Sequence, residues 1–175
     1  MAYEHELEVA KMAALEAGKA ILEVYHEEVE VILKNDDTPV TRADYASNTL
    51  ILDRLARAFP HHAFLSEEST DDLIRLQKEF CWIVDPLDGT KEFIKKNGEF
   101  TINIALVKGH DVVMGVVYAP VKEELFFAVR GEGAYMEKSG EVTRLQVSDR
   151  LFDLYALKSR SHETIRYAEL LAKHS

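Results

Sequence analysis

An α+β fold is predicted for this 175-residue chain, and three observations predict it. Apolar residues at helical spacing open the sequence and reappear after Thr41. From Phe80 onward the pattern changes to short apolar or alternating runs divided by Gly and Pro turns. Helical spacing then returns only near the carboxy end. Helices followed by a strand meander and one more helix form a segregated arrangement, not an alternating one. The length suits one domain, and a hydrophobic content of 47% supplies a core.

Leu7, Ala10, Ala14, Ala17, Ile21 and Val24 recur every three or four residues and predict a helix over about 4–27. The polar stretch Lys34-Asn35-Asp36-Asp37-Thr38-Pro39 is a turn. Thr41-Arg42-Ala43-Asp44 reads as a capping box opening a second helix. Ile51, Leu55 and Phe59 form its buried stripe, and Pro60 stops it. Phe64-Leu65 is a short strand. Leu73, Leu76 and Phe80 suggest a short helix. Phe80-Cys81-Trp82-Ile83-Val84 is an apolar run that stops at Asp85, as in a strand buried on both faces. Ile102, Ile104 and Leu106 alternate with Thr101, Asn103 and Ala105, a strand with two unlike faces. Strands over 112–118, 124–129 and 134–137 complete an antiparallel meander. A strand at 155–157 and a helix at 163–173 are expected to follow.

A formal charge of −10 and a pI near 5.2 argue against a duplex nucleic-acid binder, which needs basic residues to displace counterions. They allow a small phosphate ester, held through a divalent cation placed between carboxylate and phosphate. The single cysteine, Cys81, excludes a disulfide framework within the chain and suits a reducing, cytoplasmic location; it reads as a core thiol. The first residues carry Glu4, Glu6 and Glu8 and lack the apolar centre of a secretory signal. No run is long enough for a membrane span.

The main chemical signal is Asp85-Pro86-Leu87-Asp88-Gly89-Thr90. Two carboxylates leave a strand end three residues apart, with Pro86 fixing the backbone between them and Gly89 permitting a tight turn. Asp85, Asp88 and the Leu87 carbonyl can converge on a hard divalent ion. Thr90 can open a short helix whose free N–H groups seat a phosphate. The same residues also suit an ordinary loop. Glu67-Glu68 is either a solvated pair or the source of a carboxylate from a second loop, as a two-metal site needs. Asp44 is either a helix cap or the partner of Thr90, taking its hydroxyl proton while that hydroxyl orients the attacking water.

With Trp82-Ile83-Val84 before it and Glu67-Glu68 upstream, the Asp85–Thr90 segment resembles the signature of the inositol-monophosphatase superfamily, from the first helix to about His162. The resemblance implies the first domain of that sugar-phosphatase-like fold, amino-terminal helices packed on an antiparallel sheet. Its boundaries would be a metal-binding α+β domain over 1–150 and the start of a truncated carboxy-terminal domain over 151–175. It implies two or more Mg²⁺ ions: Glu67, Asp85 and the Leu87 carbonyl for one, Asp85 and Asp88 for the second. Asp44 and Thr90 would activate the water, and the Gly89 and Thr90 amides would hold the phosphate. Sensitivity to lithium is implied as well.

After the shared Gly-Thr, Lys91-Glu92-Phe93 and Asn97-Gly98-Glu99-Phe100-Thr101 are similar to the CysQ-type 3'(2'),5'-bisphosphate nucleotidases. Inositol monophosphatases usually have Thr-Asn-Phe there. The substrate implied is a small phosphorylated nucleotide, adenosine 3',5'-bisphosphate, cleaved to AMP and phosphate. Ser159-Arg160-Ser161-His162 is similar to a nucleotide-contacting segment, which makes Ser161 and His162 substrate candidates, although Ser161 is equally a helix N-cap and His162 equally a surface histidine. His61 and His62 match no motif and read as surface loop residues.

Members of the superfamily continue with a Trp-Asp segment whose aspartate completes the second metal site. The only tryptophan here, Trp82, precedes Ile83. The chain is therefore expected to be a truncated enzyme or fragment, impaired in activity and associating through uncovered apolar surface into a homo-oligomer. The rivals are an inositol- or sugar-phosphate phosphatase and a non-catalytic metal-binding fragment. A Ca²⁺ sensor is disfavoured because no EF-hand spacing is present.

Overall fold

The computed structural model describes residues 2–27, 31–33 and 39–149. Helix α1 (Glu4–Tyr25) buries Leu7, Ala10, Ala14, Ala17 and Ile21, the expected stripe, with Val24 half-buried at its end. The alanines let α1 lie close to its neighbours. Gly18 extends that surface: a Cβ there would stand 2.4 Å from Cε1 of Tyr118. A short hairpin follows, β1 (Val31–Leu33) paired antiparallel with β2 (Pro39–Thr41). Helix α2 (Arg42–Ala58) starts at the expected capping box and buries Ile51 and Leu55, with Phe59 buried just past its end.

The remaining strands are β3 (Ala63–Ser66), β4 (Phe80–Asp88), β5 (Thr101–Lys108), β6 (Asp111–Ala119), β7 (Glu124–Val129), β8 (Gly133–Lys138) and β9 (Glu141–Leu145). They form one seven-stranded sheet in chain order. Only the β3–β4 pair is parallel; every later pair is antiparallel. Helices α1 and α2 pack on each other and on one face of the sheet, α2 over β4 and α1 over β5 and β6. Trp82, Val84, Ile102, Ile104, Leu106, Met114 and Val116 point into that layer and are buried. A five-residue helix α3 (Thr90–Ile94) links β4 to β5.

Several expectations are corrected. β4 is buried on one face only: Ile83 is 42% exposed and Cys81 half-buried, because the described residues put no layer over the far side of the sheet. For the same reason Cys81 is not a core thiol. The short helix expected from Leu73, Leu76 and Phe80 is a single 3-10 turn, Ile74–Gln77, with Leu73 and Leu76 exposed; Phe80 instead begins β4. His62 is not a free loop residue. Its ring stacks on Phe59 and Phe80, and Trp82 Nε1 donates to its Nδ1 at 3.1 Å. Strands β1, β2 and β9 were not anticipated. The strand and helix expected at 155–157 and 163–173 lie outside the described residues. Among the described residues no helix is long and apolar enough to cross a membrane.

Candidate active site

The site forms where β3 and β4 end. Along β4, Asp85 stands opposite Asn103 and Asp88 opposite Thr101, so three steps on one strand match two on the other. This is a bulge carrying one extra residue. In an unbroken strand, residues three apart point to opposite faces. Here their partners are two apart and share a face, so Asp85 and Asp88 share it too. The bulge spans Pro86 and Leu87, and Pro86 has no ladder N–H to lose. It turns the Asp-Pro-Leu-Asp spacing into a pair of carboxylates on the side of the sheet away from α1 and α2.

Glu67 arrives from the parallel neighbour. Ser66 closes β3 opposite Val84, and the Glu67 amide donates to the Val84 carbonyl at 3.2 Å. Glu67 therefore sits beside Asp85, and the two side chains share a hydrogen bond. Burial, then the charge of Glu67, then that of Asp88 push the Asp85 carboxyl up to about 7, against an opposing bond from the Leu87 amide to Asp85 Oδ1 at 3.2 Å. Among the described residues no group of three or more His, Cys, Asp or Glu side chains is arranged as a ready-made metal centre. What is present is two hydrogen-bonded carboxylates, a third close enough to repel them, and the Leu87 carbonyl. Oxygen donors crowded until one is driven to hold a proton fit a hard divalent cation, whose charge would remove the repulsion.

Asp44 reaches the site from the helix side. Its Oδ2 accepts from the Thr41 amide at 2.8 Å and the Thr41 hydroxyl at 2.6 Å, closing the capping box. Its Oδ1 accepts from the Thr90 hydroxyl at 3.1 Å, and that hydroxyl also lies 3.4 Å from the Leu87 carbonyl. The cap and the Thr90 partner are thus both present, one on each oxygen. Burial raises the Asp44 pKa, and the bonds from Thr41 and Thr90 work against that rise. Gly89, at φ 97°, makes the turn into α3; a Cβ there would come within 3.0 Å of the Glu99 carbonyl oxygen. Glu67, Asp88, Gly89, Thr90 and Lys91 line a cleft of about 400 Å³, a size suited to a small ligand. A groove of about 480 Å³ between α1 and α2 contains none of these groups; its charges are Glu16, Asp53, Arg54 and Arg57. The carboxylate-lined cleft is the one that holds the Asp88 carboxylate, the Glu67 carboxylate and the Thr90 hydroxyl together, the chemistry a catalytic site needs.

The structure brings Asp44, Glu67, Asp85, Leu87, Asp88, Gly89 and Thr90 together. Ser161 and His162 lie outside the described residues. Sequence reasoning missed the side chains that hold this group in place. Ser47 Oγ donates to the Pro86 carbonyl at 2.7 Å. Asn48 Oδ1 accepts from Ser66 Oγ at 2.6 Å. Asn103 Nδ2 donates to Asp88 Oδ2 at 3.1 Å, and Thr101 Oγ1 donates to Asn103 Oδ1 at 3.1 Å. The available signal was polar residues on an otherwise buried helical face: Asp44, Ser47 and Asn48 recur at spacings of three or four, the stripe that includes Ile51 and Leu55.

The two-layer fold and the carboxylates at the end of the second sheet strand belong to a hydrolase of the phosphatase class, the class that its relatives define. The model of the inositol monophosphatase family matches residues 2–175, and the chain belongs to that family. It is 44% identical over 174 residues to the 3'(2'),5'-bisphosphate nucleotidase CysQ of Salmonella typhimurium, covering 96% of this chain and 70% of that protein. The crystal structure of CysQ from Bacteroides thetaiotaomicron, a bacterial member of the family, superposes with a TM-score of 0.83 at 39% identity, over 98% of this chain and 69% of that one. An IMPase/NADP phosphatase solved with Mg²⁺ and phosphate superposes with a TM-score of 0.62 at 28% identity, over 69% of this chain and 46% of that one.

Proposed function

We propose that the protein is a Mg²⁺-dependent phosphomonoesterase that hydrolyses adenosine 3',5'-bisphosphate to AMP and phosphate. The observation that carries the reading is the convergence of Glu67, Asp85, Asp88 and the Leu87 carbonyl beside a Thr90 hydroxyl already bonded to Asp44. Similarity to the CysQ nucleotidases supports the choice of substrate. Glu67, Asp85 and the Leu87 carbonyl would hold one Mg²⁺, and Asp85 and Asp88 a second. When bound, the cations supply positive charge that acidifies the attacking water and stabilises the leaving oxygen.

The chain's own groups do the rest. Thr90 presents its hydroxyl oxygen to the water and passes a proton toward Asp44 Oδ1. The Gly89 and Thr90 amides hold the phosphoryl oxygens. Water forms the new P–O bond in line as the P–O bond to the ribose breaks, and the ribose oxygen takes up a proton. Ser161 and His162 are assigned to the nucleotide. The test is phosphate release, in Mg²⁺, from adenosine 3',5'-bisphosphate, inositol 1-phosphate and fructose 1,6-bisphosphate. The nucleotide should give the highest kcat/KM. A higher value for either other substrate overturns the substrate assignment, and absence of release from all three beside intact Mg²⁺ binding leaves the non-catalytic metal-binding fragment.

A further inference from the structure

We propose that Asn48 is a positioning residue that sets the Glu67 carboxylate against Asp85. The inference rests on the reading that these two acids hold a divalent cation. Glu67 and Glu68 are the middle residues of a four-residue turn closed by the Ser69 amide donating to the Ser66 carbonyl at 3.2 Å. Asn48 clasps both corners of that turn. Its Oδ1 accepts from the Ser66 hydroxyl at 2.6 Å, and its Nδ2 donates to the Ser69 hydroxyl at 3.3 Å. Asn48 and Ser66 are both buried.

The helix that carries Asn48 is fixed to the rest of the site within the same turn. Ser47 holds the Pro86 carbonyl, between the two β4 aspartates, and Asp44 holds Thr90. One turn of α2 therefore sets three separate chain segments relative to each other: the Glu67 turn, the β4 bulge and the start of α3. The Glu67 amide, bonded to the Val84 carbonyl, joins the Glu67 turn to β4 beyond the end of β3. Without Asn48 both corners of the turn lose their side-chain hold, and the Glu67 carboxylate can shift relative to Asp85.

An alternative is that Asn48 merely satisfies the buried Ser66 hydroxyl. The two roles differ in what they change: a structural role lowers stability, whereas a positioning role lowers cation affinity in a folded protein. Outer partners of metal ligands typically contribute about 10–100-fold in metal affinity. Ser69 is exposed, so it can be changed without disturbing the core.

Mg²⁺ alone is titrated calorimetrically into wild type, Asn48→Ala, Ser69→Ala and Ser69→Thr, with Glu67→Gln and Asp85→Asn as controls and a thermal melt for each. Asn48→Ala should weaken Mg²⁺ binding at least about tenfold. Ser69→Ala should weaken it severalfold at unchanged Tm, and Ser69→Thr, which keeps the hydroxyl, should restore it. If Asn48→Ala does not fold, the Ser69 pair decides. Wild-type Mg²⁺ affinity in Ser69→Ala and in any folded Asn48→Ala, beside a loss in the two controls, overturns the positioning role. Unchanged affinity in the controls themselves overturns the metal assignment beneath it, and the positioning role with it.

Discussion

Each oxygen of Asp44 has its own donors: Oδ2 takes the amide and hydroxyl of Thr41, and Oδ1 takes the hydroxyl of Thr90. From sequence these were competing readings, since a capping box explains an aspartate without chemistry. No local pattern shows that a residue 46 positions away comes to the second oxygen. The division predicts how Asp44→Asn behaves. The amide oxygen can keep both Thr41 bonds, and the amide nitrogen can donate to Thr90, reversing that bond. Burial raises the Asp44 pKa in the fold, so its contribution to stability is present below 3.8 and lost as pH rises through the folded value. Removing the charge should therefore leave Tm at neutral pH unchanged or slightly higher. The proton acceptor is gone, however, and kcat should fall by about 10²–10⁴. Steady-state kinetics beside a melt checks both. An intact kcat would reduce Asp44 to a cap.

Helix α2 and strand β4 show how far patterning reaches at the level of elements. The helix start, its stripe of Ile51 and Leu55, and the strand from Phe80 were legible because periodicity and capping are local. The bulge between Asp85 and Asp88 was not, because it exists only relative to Asn103 and Thr101 on another strand. Nor could five consecutive apolar residues reveal that Ile83 faces away from both helices, since a run without alternation carries no sign of which face is covered. The helix also holds the bulge, through Ser47 on the Pro86 carbonyl. Ser47→Ala leaves that buried acceptor without its donor and should cost about 1–3 kcal/mol, read as a lower urea midpoint at unchanged slope. In α1, Gly18→Ala tests packing against propensity. Alanine is favoured in a helix interior by about 1 kcal/mol, but the new Cβ would sit 2.4 Å from the Tyr118 ring. Overpacking of this kind costs about 1–3 kcal/mol, so a lower Tm is expected, and a higher one would show that the ring moves aside freely.

For the molecule as a whole, acidity is concentrated where the sheet strands end. A chain of net charge −10 folds three of its carboxylates into one corner, and the result is a dependence of global stability on pH and on cation. Asp85 stands at about 7 in the fold, against an ordinary 3.8, through burial and the charges of Glu67 and Asp88. A carboxyl raised in this way contributes stability that is whole below the unfolded value and is lost as pH rises through the folded one. In EDTA, Tm should therefore decline between about pH 4 and pH 7, and Asp85→Asn, which cannot ionise, should decline less over the same window. Mg²⁺ binds the ionised form and competes with the proton. Its stabilisation should thus be small in acid and largest above pH 7, reaching about 2.7 kcal/mol at a concentration 100 times Kd. Melts of wild type and Asp85→Asn across that range, with EDTA and then with Mg²⁺, separate the two contributions. If both proteins lose the same Tm in EDTA, the repulsion at this corner is not what Asp85 brings to the fold. If Mg²⁺ raises Tm equally at every pH, the cation binds somewhere other than these carboxylates.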